Sequence, residues 1–281
     1  MSERQATDGL VPRRVREALP YVVLGLYALW TLVPLAWMSV SALKRRGDII
    51  QLSFVFEPTL KNFRLVFFES GVPGFLFNSV LVASVSALVA VFFGTLGGYA
   101  LSRSDMRGKK HLAFWIISTR MAPIAVAIIP LFFLFTRLNL LGTYAALIIA
   151  YSTFNLPFAI WMMRSFFDEI PESIEEAALV DGATRWQAFR KTLVPLVAPG
   201  IGATAIICVV FAWNDFLFAF MFSNQDTQTI PVSAAQQIGQ EGIDWGIVMA
   251  TGLVILAPMV AFGMIVREYL VEGLTMGAVK Q

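Results

Sequence analysis

An all-α polytopic membrane protein with six transmembrane helices is the fold class this sequence predicts, and three observations predict it. Of its 281 residues, 57% are hydrophobic and only 14% charged, more apolar surface than one soluble core can hide beneath a polar cover. The apolar residues gather into six runs, each near the ~20 residues that cross a hydrocarbon core. Between the fourth and fifth runs lies a polar segment, 168–195, whose capping residues and glycine predict short helices rather than another span.

Taken in order, residues 1–18 are polar and read as an N-terminal tail. A first span is predicted at 21–43. Ser39-Val40-Ser41 looks like a cleavage site, but the apolar run before it is too long for a signal peptide and fits an uncleaved anchor. Residues 19–74 therefore combine that span with an external excursion, in which Glu57-Pro58-Thr59-Leu60-Lys61-Asn62-Phe63 predicts a short interfacial helix. Spans at 76–101, 112–135, 144–163, 201–222 and 245–265 form a core over 75–269, and 270–281 is a C-terminal tail. No internal repeat stands out, in contrast to many secondary transporters.

Basic residues set the orientation. With the N-terminus in the cytoplasm, the inner segments hold 14 Lys and Arg, while Lys44, Arg45, Arg46, Lys61, Arg64 and Arg137 are the 6 outside. The positive-inside rule then places both termini and the 168–195 loop in the cytoplasm, against the local dissent of Lys44-Arg45-Arg46.

Within the loop, Ser173 and Glu176 stand at capping-box spacing, so a helix is expected to start near Ser173, with the carboxylate reaching back to the cap. Ile174, Ala177, Ala178 and Asp181 fall on one narrow face of small side chains that another protein could approach closely. Gly182 suits the left-handed position that ends such a helix. Thr184 and Gln187 repeat the box, and a second helix carrying Phe189 is expected to run until Pro195 interrupts it. Two short capped helices between spans have little purpose unless something outside the bilayer grips them.

Glu176-Ala177-Ala178, Asp181-Gly182-Ala183 and Leu193-Val194-Pro195 together resemble the signature loop of binding-protein-dependent ABC importer permeases. Thr192 departs from the family pattern, which prefers an aliphatic residue there. The resemblance implies that Ser173, Glu176, Ala177, Ala178, Asp181 and Gly182 belong to a coupling helix docked in a groove of an ATPase subunit. It further implies a second homologous permease subunit, two ATPase subunits and an external solute-binding protein as partners, in a bacterial-type inner membrane.

The stretch from Leu270 to Gln281 resembles the tail of the maltose-type permease, so Gly273, Gly277 and Lys280 are expected to reach into the ATPase dimer. Thr229-Ile230-Pro231-Val232 and Asp244-Trp245-Gly246 lie where that carbohydrate branch engages its binding protein. The run from Phe211 to Leu217, Met121-Ala122-Pro123 and Ile129-Pro130 are similar to the same branch. From roughly residue 20 to the end, the resemblance implies a sugar or polyol as the solute, carried by alternating access. An ion-coupled secondary transporter or a permease for another solute class is the alternative, and the first leaves the capped loop without a purpose.

The chemistry missing from the sequence narrows the reading. Lys109-Lys110 after Gly108 is not a phosphate loop, because the upstream glycine and following Ser or Thr are absent. ATP and Mg are thus left to the partner ATPase, and no cofactor is expected on this chain. One histidine, His111, and one cysteine, Cys208, do not make a usual zinc ligand set. Cys208 reads as a small buried hydrophobe. A net charge of +2 with no arginine-rich patch gives no reason to expect nucleic acid. With no catalytic constellation, the chain reads as a transport subunit and not an enzyme.

Ionisable and polar residues within the spans are the candidates for a solute path. Arg120 lies well inside the predicted third span. It either snorkels or pairs structurally, or lines the path and donates to solute hydroxyls or an anionic group. Asn214 and Asp215 sit in the outer half of the fifth span, where a carboxylate is costly unless solvated or paired. Trp213 fits either an interfacial aromatic belt or a sugar-stacking surface. Asn155 either bonds a backbone group freed by Pro157 or contacts solute.

Overall fold

A computed structural model describes residues 13–236, 238–239 and 242–276 of the chain. They divide into two compact units, one formed by the chain up to Ser70 with Ile238–Val254, the other by Gly71–Gln237 with the chain from Ile255 on. Gly277 and Lys280 lie outside the described residues.

In the first unit, α1 (Arg13–Ala42) is apolar on every side from Ala18 on, with Tyr21 and Trp30 exposed by 77% and 82%, as suits a helix whose solvent is lipid. The short α2 (Arg46–Ile50) and α3 (Lys61–Phe68) follow. Asn62 closes the end of α1, its Nδ2 donating to the carbonyls of Ala42 at 2.8 Å and Lys44 at 2.9 Å. Only glycine fits at 246 beside it, since a Cβ there would come within 2.6 Å of Asn62 Nδ2. The predicted basic cluster separates: the Lys44 ammonium packs over the rings of Trp37 and Phe56, while Arg45 pairs with Glu57 at the surface. The interfacial helix expected from Glu57 starts instead at Lys61, because Pro58 holds the residue before it out of the helical region.

In the second unit, α4 (Val72–Arg103), α5 (Lys109–Ser118), α6 (Ile124–Arg137) and α7 (Tyr144–Asp168) lead into the polar segment. That segment comprises α8 (Glu172–Val180), α9 (Arg185–Ala188), a π-helical stretch (Phe189–Leu193) and α10 (Val194–Leu196). Then come α11 (Ala198–Asn214), α12 (Leu217–Phe222) and α13 (Ile230–Gln236). Back in the first unit, a two-residue antiparallel pair, β1 (Ile238–Gly239) with β2 (Gly242–Ile243), is the departure from an all-α chain among the described residues, and α14 (Trp245–Met276) follows it, belonging to the first unit up to Val254 and to the second from Ile255. Gly273 falls near the end of α14, so the predicted tail begins as a continuation of the last helix.

The α4–α7 pair is the centre of this unit. A Cβ at Gly94 would stand 2.5 Å from that of Ala159, and one at Gly98 would stand 2.7 Å from the backbone nitrogen of Arg164. Phe135, Leu147, Phe218 and Phe222 fill the core around the pair, and Cys208 is fully buried, as expected.

Among the described residues, four helices are long and apolar enough to cross a membrane: Ala18–Ala42, Val72–Arg103, Tyr144–Asp168 and Trp245–Met264. The other two predicted spans are not straight. Lys109–Met121 and Ile124–Arg137 meet at 87°, where Pro123 lacks an amide proton and holds Ala122 extended. The fifth span starts at Ala198, after a 73° bend from Arg185–Leu196, and its helix stops at Asn214, with Asp215 extended, before resuming at Leu217.

Gly98→Ala is expected to weaken the α4–α7 contact by about 1–3 kcal/mol. Gly202→Ala, which meets nothing within 4 Å, should leave stability unchanged or raise it by up to ~1 kcal/mol. Thermal unfolding of both variants in detergent checks this pair, and equal melting temperatures would refute the close contact.

Candidate functional site

The two helix breaks converge on a cavity of about 350 Å³ in the second unit. Its walls include Arg120 and Ile124 from either side of the first break, and Asn214, Asp215 and Phe218 from either side of the second. Tyr151, Phe154 and Asn155 of α7 and Phe211 of α11 complete it. Such breaks free backbone groups that hydrocarbon cannot satisfy, so they are tolerated where protein or a cavity surrounds them.

Arg120 sits in the 3-10 turn Thr119–Met121, not partway along a straight helix as the sequence suggests. Its guanidinium lies over the Phe211 ring, 4.0 Å from the centroid, and 5.2 Å from that of Phe158. Its Nη1 donates to the Phe154 carbonyl at 3.3 Å. The planar cation is thus held by aromatic faces and one carbonyl, and no ion pair joins it to Asp215.

Asp215 acts as a helix cap. Its Oδ1 accepts from the Phe218 amide at 3.0 Å, in the first turn of α12, and the Tyr151 hydroxyl reaches its carbonyl at 3.5 Å. Asn214 donates to the Val210 carbonyl of its own helix at 2.8 Å. Asn155, nearly buried, donates to the Cys208 carbonyl at 3.1 Å, a bond across to α11 and not to a group freed by Pro157. Trp213 is buried and lies outside the cavity wall. The structure therefore gathers Arg120, Asn155, Asn214 and Asp215 and leaves Trp213 out. Tyr151, Phe154 and Phe158 escaped the sequence reading, although with Asn155 they share one α7 face at i, i+3, i+4 and i+7.

The polar segment forms a second site. α8 begins one residue before Ser173, with Pro171 as its N-cap and no side-chain cap. Ser173 and Glu176 are exposed on the first turns and do not form the expected box, since Pro171 already sets the start. Gly182 does adopt the left-handed conformation, φ 86°. Its amide bonds Leu179 and that of Ala183 bonds Ala178, each at 3.0 Å, which closes the helix as a Schellman motif. The second box is present: Gln187 N donates to Thr184 Oγ1 at 3.3 Å, and Thr184 N to Gln187 Oε1 at 2.8 Å.

Pro195 does not end the following helix. The chain passes through the π-helical stretch into α10 and turns at Val197, just before Pro199 in the first turn of α11. Ile174, Ala177 and Asp181 are exposed, leaving the small-residue face of α8 free. Glu175, its neighbour, is buried on the opposite side and pairs with Arg103, a contact that sequence reasoning missed.

Bent apolar spans around a cavity that holds a few polar side chains, joined by a capped helical loop with a free face, define a membrane permease. Residues 90–275 match the family described as binding-protein-dependent transport system inner membrane component, and the chain belongs to that family of ABC importer permeases. It is 32% identical to the sulfoquinovosyl glycerol transport system permease SmoH of Agrobacterium fabrum, over all of both chains. It is also 32% identical to the trehalose/maltose transport system permease MalG of Thermococcus litoralis, over 91% of this chain and 94% of that one. A chain of a bacterial ABC transporter involved in the import of the acidic polysaccharide alginate shares the fold, with a TM-score of 0.76 at 22% identity, over 92% of this chain and 99% of that one.

Asp215→Ala removes the acceptor for Phe218 and is expected to cost about 0.5–2 kcal/mol, whereas Asp215→Asn keeps it and should cost only a few tenths. Chemical or thermal denaturation of both variants tests this, with equal losses counting against the capping role.

Proposed function

We propose that this chain is the permease subunit of an ATP-driven importer that moves a sugar or polyol across an inner membrane by alternating access. The observation that carries this reading is the presence, in one compact unit, of a cavity between broken spans whose largely apolar wall carries Arg120, Asn155, Asn214 and Asp215, and a helix whose small-residue face is free for a partner. Two relatives, named for trehalose/maltose and sulfoquinovosyl glycerol transport, support a carbohydrate solute. In the cavity, the Arg120 guanidinium and the Asp215 carboxylate offer separate donor and acceptor groups, as hydroxyl-rich solutes require.

In this reading Ala177, Ala178 and Asp181 of α8 meet a groove of an ATPase subunit, with exposed Ser173 and Glu176 beside them and Gly182 fixing the turn. Two such ATPases carry ATP and Mg, and a second homologous permease and an external solute-binding protein complete the complex. Gly273, Gly277 and Lys280 contact the ATPase dimer. Closure of that dimer displaces α8, and the spans rock between inward-open and outward-open states. Both termini and the α8 loop lie in the cytoplasm, as the distribution of basic residues favours.

In proteoliposomes containing both permeases and the ATPases, with the binding protein supplied outside, ATP should drive sugar uptake. Arg120→Leu should reduce that uptake at least about tenfold while the complex still assembles. Full uptake by Arg120→Leu would take the arginine out of the solute path, failed assembly would make it structural, and uptake by the unmutated chain without any ATPase would refute the importer reading.

Orientation has its own test in a Cys208→Ala background. A cysteine at exposed Gln225 should react with a membrane-impermeant thiol reagent on intact cells, and one at exposed Glu172 should not. The opposite pattern would invert the topology.

A further inference from the structure

Two adjacent glutamates on α8 have opposite surroundings. Glu176 is exposed, whereas Glu175 is buried, 6% exposed. A carboxylate taken from water is costly unless its oxygens are partnered, and both are. Oε1 accepts from the Tyr99 hydroxyl at 2.6 Å and Oε2 from Arg103 Nε at 3.0 Å. Arg103 also donates through Nη2 to the Ile170 carbonyl at 2.9 Å, just ahead of the proline that caps α8. One guanidinium therefore holds both the entry to α8 and its first turn.

Neighbouring contacts extend this grip. Ser102 Oγ donates to Asp168 Oδ1 at 2.6 Å, and Asp168 Oδ2 stands 3.3 Å from Arg164 Nε. The Tyr99 ring packs against Phe167 of α7 and Phe189 beyond α9, with centroids 5.6 and 4.7 Å apart. The last turn of α4, the end of α7 and the start of α8 are thus joined by short polar bonds, while the bends at Pro123 and Val197 lie outside the cluster.

We infer that Glu175, Arg103 and Tyr99 are positioning residues that latch α8 to the last turn of α4, so that displacement of the free face of α8 reaches the α4–α7 pair undiminished. The inference rests on the proposed coupling role of α8 and adds the load path from it. A helix tethered only by its two connecting loops would tilt under a partner's push. One whose buried face is bonded to α4 moves with α4. Glu176, by contrast, is left for the partner.

The test uses the complete reconstituted complex with Glu175→Gln, Arg103→Met, Tyr99→Phe and the Glu175→Gln/Arg103→Met pair. ATPase retained per permease, ATP hydrolysis and solute moved per ATP are measured together. Glu175→Gln and Arg103→Met should retain bound, active ATPase while solute per ATP falls on the order of tenfold. Tyr99→Phe should fall less, and the pair should be no worse than the poorer single variant, because both remove one shared contact. Unchanged solute per ATP in the single variants, or losses that add in the pair, would overturn the latch. Failure of Glu175→Gln and Tyr99→Phe to assemble would also overturn it, by assigning the cluster to folding. Solute uptake by the unmutated complex without ATPase would defeat the coupling reading itself, and it is read on a different sample.

Discussion

Without side chains at Gly94, Gly97 and Gly98, α4 approaches α7 until added Cβ atoms would overlap Ala159, Ile160 and Met163. In lipid, where tails are as apolar as leucine, helix association depends on such close packing and on polar bonds more than on burial of apolar area. The same seam carries the Ser152 hydroxyl to the Ser86 carbonyl at 3.2 Å and ends in the Ser102–Asp168 bond. Several of the bonds that hold neighbouring segments start from this pair. Asn155 ties α7 to α11, and Asn78 near the start of α4 donates to the carbonyls of Asp226 and Gln228 at 2.8 and 2.9 Å.

A firm pair allows its neighbours to be broken. Interrupting a helix inside a membrane frees backbone groups, and each must find a partner. At Asp215 the side chain supplies an acceptor to the restarting helix. Beside the other break the Arg120 guanidinium donates to the Phe154 carbonyl of the unbroken α7, and two phenylalanine rings lie against it. At the second break, then, the group that partners the restarting helix is also a group that lines the cavity.

Local signals in the sequence translated well. Gly182 and the Thr184–Gln187 box occupy the conformations their residue types suggest, because each depends on atoms a few residues apart. Ser173 failed for an equally local reason: Pro171, two residues earlier, fixes the first turn. The breaks were harder to see. Pro157 and Pro258 stay within continuous helices while Pro123 ends one, so proline alone does not decide, and neighbouring packing does. The cavity's α7 wall was read only at Asn155, although Phe154 and Asn155 stand at helical spacing from Tyr151. The burial of Glu175 in place of Glu176 was not legible, since its partner Arg103 stands 72 residues away.

That contrast between the two glutamates bears on how a nine-residue helix can act at a distance. A short helix is marginal alone, and α8 lacks a side-chain cap at its start. Its rigidity must come from what it packs against. The buried carboxylate provides this at the cost of desolvation, and the pairing with Arg103 and Tyr99 offsets that cost only while both partners stay in place. Such a contact resists gradual loosening, because a shift that lengthens one bond exposes a charge that nothing else neutralises. The arrangement is stiff for the reason that it is costly, and stiffness between the free face of α8 and the α4–α7 seam is what a transmitted displacement requires.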